Sequence, residues 1–351
     1  MDDSSLLSAS CPLPITNYRE IVLAHGSGGK LTRQLIDKIV LPQFRNELLE
    51  PLHDGAIFSL GDQRLAFTTD SFVVSPIFFP GGDIGSLSIH GTINDLAMCG
   101  ARPLYLSASF ILEEGLPMED FWRIVQSMHA AADAAGVKLV TGDTKVVDRG
   151  KADKIFINTS GLGLVPDGVN IDPTRAQVGD KIIISGAIAV HGIAIMSVRE
   201  GLEFETEIAS DTAPLHELVD AMIAAKIDIH VLRDPTRGGV TSALTEIART
   251  AKVGMLLDEA LIPISEEVKG ACEILGLDPL YVANEGKLLA IVASEDVDVA
   301  LNALRSHPLG KGANVICEVV DEHPGLVMMK TRVGGTRVVD MLSGEQLPRI
   351  C

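Results

Sequence analysis

The residues of this chain best suited to chemistry are its last one and a set of aspartates. The chain ends Pro348-Arg349-Ile350-Cys351. A thiolate is a strong nucleophile and can carry an acyl-type group as a thioester-like adduct. Pro348 stiffens the approach by fixing its own φ, and Arg349 places a positive charge that is expected to favour thiolate over thiol. The cysteine is the final residue rather than the fourth from the end, which excludes a prenylation box. The same four residues would also serve as a frayed terminus that happens to end in Cys. Their weight depends on what the body of the chain offers them.

The body offers carboxylates. Asp54 lies in His53-Asp54-Gly55-Ala56, and Asp70 closes a strand-like run over 65–69. Asn94 and Asp95 interrupt the apolar face of a small-residue helix that starts near Gly85, where an unpaired carboxylate is costly. Asp143 follows a short strand over 137–141, within Gly142-Asp143-Thr144-Lys145. Each alone reads as a turn or surface aspartate. Gathered together they would repel unless divalent cations bridged them, and hard oxygen ligands suit Mg²⁺, which in turn recruits the phosphates of a nucleotide. Two glycine-rich turns fit that chemistry. Ala24-His25-Gly26-Ser27-Gly28-Gly29 precedes a helical pattern over 31–40, where backbone amides can cradle phosphate oxygens. It is not a Walker A loop, because Ala24 stands where that motif needs its first glycine, and a plain turn is the alternative. His25 would contact phosphate or cap the turn. Arg233-Asp234-Pro235-Thr236-Arg237-Gly238-Gly239 precedes another helix and offers Asp234 as a phosphate or metal contact.

These residues need elements to position them. In 351 residues two domains are expected, with the break in the Pro-containing stretch 166–179. We read a loose extension over 1–20, a first domain over 21–168, a second over 169–341 and a tail over 342–351. A helix over 118–135 carries one apolar stripe from Phe121 through Ile124, Met128 and Ala132, which is core rather than a cofactor site. Strands alternating with helices predict an α/β fold with mixed sheets, without fixing strand order. The formal charge of -18 disfavours nucleic acid and anionic membrane as partners. Five cysteines without C-x-x-C pairing suit free thiols in a reducing cytoplasm. Residues 1–10 lack the features of a signal peptide, and no apolar run reaches spanning length. A soluble, cytoplasmic protein is expected.

The motifs His53-Asp-Gly-Ala, Thr69-Asp70-Ser71, Asn94-Asp95-Leu-Ala, Gly142-Asp143-Thr144 and Asp234-Pro-Thr-Arg-Gly-Gly together resemble the aminoimidazole ribonucleotide synthetase superfamily (the PurM-like fold). Selenophosphate synthetase and thiamine-monophosphate kinase belong to it too. Within that group, Ala24-His25-Gly26-Ser27-Gly28-Gly29, Gly142-Asp-Thr-Lys-Val-Val147, Asn284-Glu-Gly-Lys287 and the closing Pro348-Arg-Ile-Cys351 are similar to the HypE family. That family matures nickel–iron hydrogenase by making cyanide ligands for its iron. The likeness runs from about Ile21 to Cys351. The Sec/Cys-Lys pair of selenophosphate synthetase has no counterpart beside the glycine-rich loop.

The resemblance implies that a carbamoyl group, delivered to Cys351 by a carbamoyltransferase (HypF), is dehydrated there to a thiocyanate. ATP would phosphorylate the amide oxygen so that phosphate leaves, with the cyano group passing to a HypC–HypD scaffold complex. Magnesium on Asp54, Asp70, Asp95 and Asp143 would neutralise the phosphoryl group. Asp95 would also act in catalysis, and His25, Gly26, Gly28, Gly29, Asn94, Thr144, Asp234, Gly238 and Gly239 would hold the nucleotide. Proton removal needs a base: Lys145 is the first candidate, provided burial keeps it neutral, and Glu285 the second. Gly344 is the expected hinge of a mobile tail. By resemblance the first domain pairs with its twin, forming a barrel across a homodimer. Two rivals are a small-molecule kinase or synthetase of the same superfamily and a non-catalytic assembly module that holds iron or a partner thiol. Deleting the last four residues would spare a free-substrate kinase and abolish a self-modifying dehydratase, while an assembly module would lack Mg-ATP hydrolysis.

Overall fold

The computed structural model describes residues 18–202, 207–344, 347 and 349–351; Pro348, Cys11 and residues 1–17 of the extension lie outside them. The first sheet has five strands in the order β1 (Ala56–Leu60), β2 (Gln63–Phe72), β7 (Ile155–Val165), β5 (Arg102–Glu113), β6 (Lys138–Val147). A two-stranded ribbon, β3 (Phe78–Phe79) and β4 (Gly82–Asp83), leads into helix α3 (Ile84–Met98). Asp83 caps that helix, accepting hydrogen bonds from Gly85 N at 2.7 Å and Ser86 N at 3.0 Å, while Ser86 Oγ accepts from Asp83 N. Helix α4 (Met118–Ala134) supplies the crossover between the parallel pair β5 and β6.

Both helices pack on one face of this sheet. β7 alternates strictly, burying Ile155, Ile157, Thr159, Gly161, Gly163 and Val165. Gly161 is required, because a Cβ there would lie 2.8 Å from Leu96 Cδ1 and Thr92 Cγ2 of α3. Almost every side of α3 is buried, since the second half of the chain covers what the sheet does not. The opposite face of the sheet is open and partly apolar, with Phe67, Tyr105 and Ile111 exposed.

The second sheet has seven strands, ordered β14 (Thr336–Val339), β13 (Val327–Lys330), β10 (Gly254–Asp258), β12 (Asn314–Val320), β8 (Lys181–Ile184), β11 (Leu289–Val292), β9 (Ile229–Arg233). Its interior strand β8 is apolar on both faces because both are covered. Ile182 and Ile184 meet α5 (Val190–Glu200), α7 (Gly239–Ala251) and α8 (Glu266–Leu275). Ile183 meets α6 (His216–Ala224) and α9 (Val297–Ser306). The chain before β1 forms a 3₁₀ turn, Leu23–Gly26, then a continuous helical run through α1 (Lys30–Leu35), one π turn over Ile36–Val40, and α2 (Leu41–Phe44). No helix among the described residues is long and apolar enough to cross a membrane.

One sequence-based element is corrected. The strand expected to stop at Thr141 continues to Val147, so Asp143, Thr144 and Lys145 lie within the edge strand β6 rather than on a loop after it. Gly142 permits this, since a Cβ would lie 2.2 Å from the Ala108 carbonyl oxygen on β5. Register pairs Ser109 with both Asn158 and Asp143, which puts Asp143 on the open face.

Candidate active site

Four of the aspartates meet. Asp54 arrives just before β1, Asp70 from β2, Asp95 from the last turn of α3 and Asp234 from the end of β9; all line one cavity of about 430 Å³ between the two halves. Asp70 reaches it because Thr68, Asp70 and Phe72 share the helix-facing side of β2. Ligand oxygens of Asp54, Asp95 and Asp234 lie within 4.8 Å of one another. Burial raises Asp234, Asp95 and Asp70. Asp234 is pushed up to about 8 by burial and by Asp54 and Asp70. Asp95 is pushed well above the usual carboxylate range by burial, then by Asp234, Asp70 and Asp54. Asp70 is raised by burial, against the attraction of Arg237. Such mutual repulsion in a dry site is relieved by a hard divalent cation. Asp54 Oδ2 is buried without a hydrogen-bond partner, an acceptor left over for such an ion. The donor set therefore fits Mg²⁺.

The rest of the cavity suits an anion. The N-terminus of α7 opens into it through Gly239 and Ser242, beside Gly26, Gly28 and Thr32 from the glycine-rich turn. Gly28 has φ +73° and a Cβ there would lie 2.6 Å from the Arg237 carbonyl oxygen, while its own carbonyl accepts from Ser242 Oγ at 2.9 Å. Gly29 packs against Leu342, and Gly238 against Ser242 and Gly28. The turn is thus clamped onto the second half of the chain. Gly28→Ala should weaken nucleotide binding at least tenfold by dislodging this clamp, readable as a rise in the ATP dissociation constant. Arg233 lies between Asp54 at 3.0 Å and Glu246 at 2.5 Å and leaves the cluster partly neutralised. Sequence reasoning gave Arg233 and Arg237 no role, although both belong to the Asp234 motif.

The chain's end docks beside this cavity, near Arg237 and Asp70, which line it. Cys351 is buried, with a terminal carboxylate oxygen accepting from Val73 N at 3.1 Å and the Arg349 carbonyl accepting from Ser75 N at 3.2 Å. His191 Nε2 lies 2.8 Å from the Ile350 carbonyl oxygen, and its Nδ1 lies 2.7 Å from Ser210 Oγ. Arg199 donates to the Arg349 and Ser75 carbonyls. The sulfur faces the carboxyl group of Glu285, with Arg237 and Asp70 close by. Glu285 Oε1 is buried without a partner. Burial, then repulsion from Asp234, Asp70 and Asp211, raises Glu285 well above its ordinary value. Asp211 accepts from Glu285 N at 3.2 Å and pairs with Lys287 at 3.0 Å, which fixes this segment.

Several expected site residues lie elsewhere or do other work. Lys145 is exposed and paired with Asp143 at 2.7 Å, so burial does not neutralise it; it shares the open face of β6 with Asp143, Thr144 points to the other side, and none of the three lines this cavity. Asp143 accordingly lies outside the carboxylate cluster, and Asp234 completes the set of three. His25 Nδ1 takes the Val22 amide at 3.0 Å, making it a turn cap packed on Tyr18. Asn94 is wholly occupied: its amide donates to the carbonyls of Ala213 and Glu285, and its Oδ1 accepts from Leu215 N at 2.8 Å. It joins the halves rather than facing the cavity. Asn94→Ala should lower stability by roughly 2–3 kcal/mol through the partners left unpaired, measurable as a lower denaturation midpoint. Arg349 pairs with Asp153 instead of activating the sulfur. Burial pushes the Cys351 thiol well up, against the pull of Arg237; the docked group is a thiol, contrary to the expectation of a thiolate.

Residues 52–165 match the N-terminal domain model of the AIR synthase related proteins, and 177–329 the C-terminal one. The chain is 57% identical over 341 residues to a carbamoyl dehydratase HypE of Cupriavidus necator, covering 97% of each. A solved HypE in complex with ATP superposes with TM-score 0.80 at 48% identity, over 95% of this chain and 100% of that one. A HypE–HypF complex superposes with TM-score 0.83 at 48% identity, over 88% and 99%.

Proposed function

The chain belongs to the HypE family of AIR synthase related proteins, and from that membership we propose that it is an ATP-dependent carbamoyl dehydratase whose substrate is its own Cys351. The observation that carries this reading is the burial of a C-terminal sulfur against Glu285 beside a carboxylate-lined cavity. A free-substrate kinase has no use for that seat. Phosphates of ATP would be held by the glycine-rich turn and the N-terminus of α7, and Asp54, Asp95 and Asp234, with Asp70 next to them, would hold Mg²⁺. When bound, the ion would supply charge neutralisation for the transferring phosphoryl group.

The chain's own residues then act on the carbamoylated sulfur. Docking places the amide oxygen toward the nucleotide, and its attack on the γ-phosphorus turns that oxygen into a phosphate leaving group. Glu285, raised in pKa and unpaired at Oε1, takes a proton from the amide nitrogen. Loss of phosphate and of the second proton completes the C≡N bond. Arg237 stands beside the sulfur and offsets the charge that develops. Gly344, around which a Cβ would meet nothing within 4 Å, lets the end leave to receive and deliver its group.

HypF is the proposed carbamoyl donor and a HypC–HypD complex the acceptor, in a reducing cytoplasm where the four described cysteines remain free. The open sheet face, where Phe67, Tyr105 and Ile111 expose apolar surface on the side that also carries Asp143 and Lys145, supports a homodimer. In that dimer Asp143 and Lys145 would be offered to the twin's cavity. Ile111→Glu should yield a monomer in sedimentation without lowering the unfolding midpoint of the chain.

The deciding experiment is mass analysis of the C-terminal peptide after incubation with carbamoyl phosphate, HypF and ATP. The adduct on Cys351 should lose the mass of one water only when ATP is present; an adduct that persists with ATP would end the dehydratase reading.

A further inference from the structure

We infer that the groove seating the C-terminus is a peptide-binding site in its own right, able to process the S-carbamoyl cysteine of a separate chain ending Leu-Pro-Arg-Ile-Cys. The inference rests on the dehydratase reading and extends its substrate class from self to peptide.

Among the described residues, the contacts that hold the end come from Leu347 and residues 349–351. Val73 N donates to a terminal carboxylate oxygen of Cys351 and Ser75 N to the Arg349 carbonyl, just past the end of β2. Main-chain hydrogen bonds thus supply binding, and side-chain pockets supply selection. Between these two bonds, the Ile350 carbonyl faces His191 Nε2. The Ile350 side chain is 2% exposed and packs in the core cluster that includes Ile195 and Ala283. Arg349 is read by Asp153, and its carbonyl also by Arg199. Leu347 packs partly against the same cluster.

Among the described residues further upstream, the grip is slight. Leu342 is tied to the glycine-rich turn through Lys30 N at 2.9 Å, but Ser343 and Gly344 are exposed and a Cβ on Gly344 would touch nothing. The covalent attachment of the end supplies effective concentration, which for a short tether is on the order of millimolar. A free peptide at similar concentration should fill the groove once the chain's own end is kept out.

The balanced reaction is peptide-S-C(=O)NH₂ + ATP → peptide-S-C≡N + ADP + phosphate + a proton. The amide oxygen forms a bond to the γ-phosphorus as the β–γ bridging bond breaks. The C–O bond then breaks, phosphate carries that oxygen away, and both nitrogen protons are lost.

The test uses the full chain carrying Ile350→Asp and Cys351→Ser, whose own end can neither seat nor react. The probe is a synthetic acetylated peptide, Gln-Leu-Pro-Arg-Ile-Cys, carbamoylated on sulfur with cyanate, with Mg-ATP. The expected result is loss of one water from the peptide with one ADP formed for each, saturating at roughly millimolar peptide. A peptide with Asp in place of Ile should not be converted. Adding His191→Gln should raise the peptide KM about tenfold, the value of one hydrogen bond, with kcat retained, which a general loss of folding would not reproduce. If the peptide is untouched while the wild-type chain converts its own carbamoylated Cys351, the inference is overturned and the dehydratase reading stands. If the wild-type chain also fails, both fall together.

Discussion

Glu285→Gln should leave the carbamoyl adduct on Cys351 unconverted, slowing water loss by about 100- to 10,000-fold, the usual contribution of a positioned base. The reason is geometric. Glu285 is the carboxyl group facing the sulfur, and one of its oxygens is buried with no partner. Its raised pKa makes it a stronger proton acceptor than an ordinary glutamate once ionised. Glutamine keeps the volume and the backbone contact with Asp211 but cannot accept a proton from the amide nitrogen. ATP affinity should be unchanged, since Glu285 does not line the nucleotide cavity. The two measurements are the mass of the C-terminal peptide over time and an ATP dissociation constant. A wild-type rate of water loss in this variant would shift the role of base to another group, with Lys145 of a second copy the next to test.

Asp234→Asn should give effects of opposite sign with and without magnesium. In the metal-free protein Asp234 sits in a set of repelling carboxylates, so neutralising it should stabilise the fold by roughly 2–3 kcal/mol, the scale of an uncompensated buried polar group, or about 5 °C. With Mg-ATP the same variant should lose most of the ligand-induced rise in midpoint and turnover with it. The pH dependence has a definite direction. Asp234 moves from an ordinary value of 3.8 to about 8 in the folded state. The folded chain therefore binds the proton more tightly than the unfolded one. Stability from that proton is fully present below the unfolded value and is lost as pH rises through the folded one. The metal-free midpoint should fall from mildly acid to mildly alkaline pH. Magnesium should flatten the slope by replacing protons with an ion. A midpoint that is insensitive to both pH and magnesium would show that the three carboxylates do not act as a unit.

How far the sequence revealed this arrangement varies residue by residue. Regular elements with a clear period were readable: the α4 stripe at Ile124, Met128 and Ala132, and the strict alternation of β7. The continuation of β6 past Thr141 was not, because Gly142-Asp143-Thr144-Lys145 resembles a turn in composition and no residue inside it shows that β5 lies alongside. The approach of Asp54, Asp70 and Asp95 to one cavity matched the chemistry the sequence suggested. Asp234 came from a distant motif, and its place among the ligand oxygens follows from the packing of β9 against α3. Asn94 illustrates the limit. A buried amide beside an acid suggests a ligand, yet its partners at Ala213, Leu215 and Glu285 are 119 to 191 residues away. Nor could charge near Cys351 be judged from Arg349, its neighbour in sequence, when Arg237 is its neighbour in space.

The burial of Cys351 sets the order of events in a working cycle. While home, its sulfur is a protonated, shielded group that oxidants and stray electrophiles meet poorly. On the proposed cycle, loading would happen abroad and conversion on return. Each cyanide equivalent would then need one excursion for the load and another for delivery, and the pace of such a courier would be bounded by how often its terminus departs.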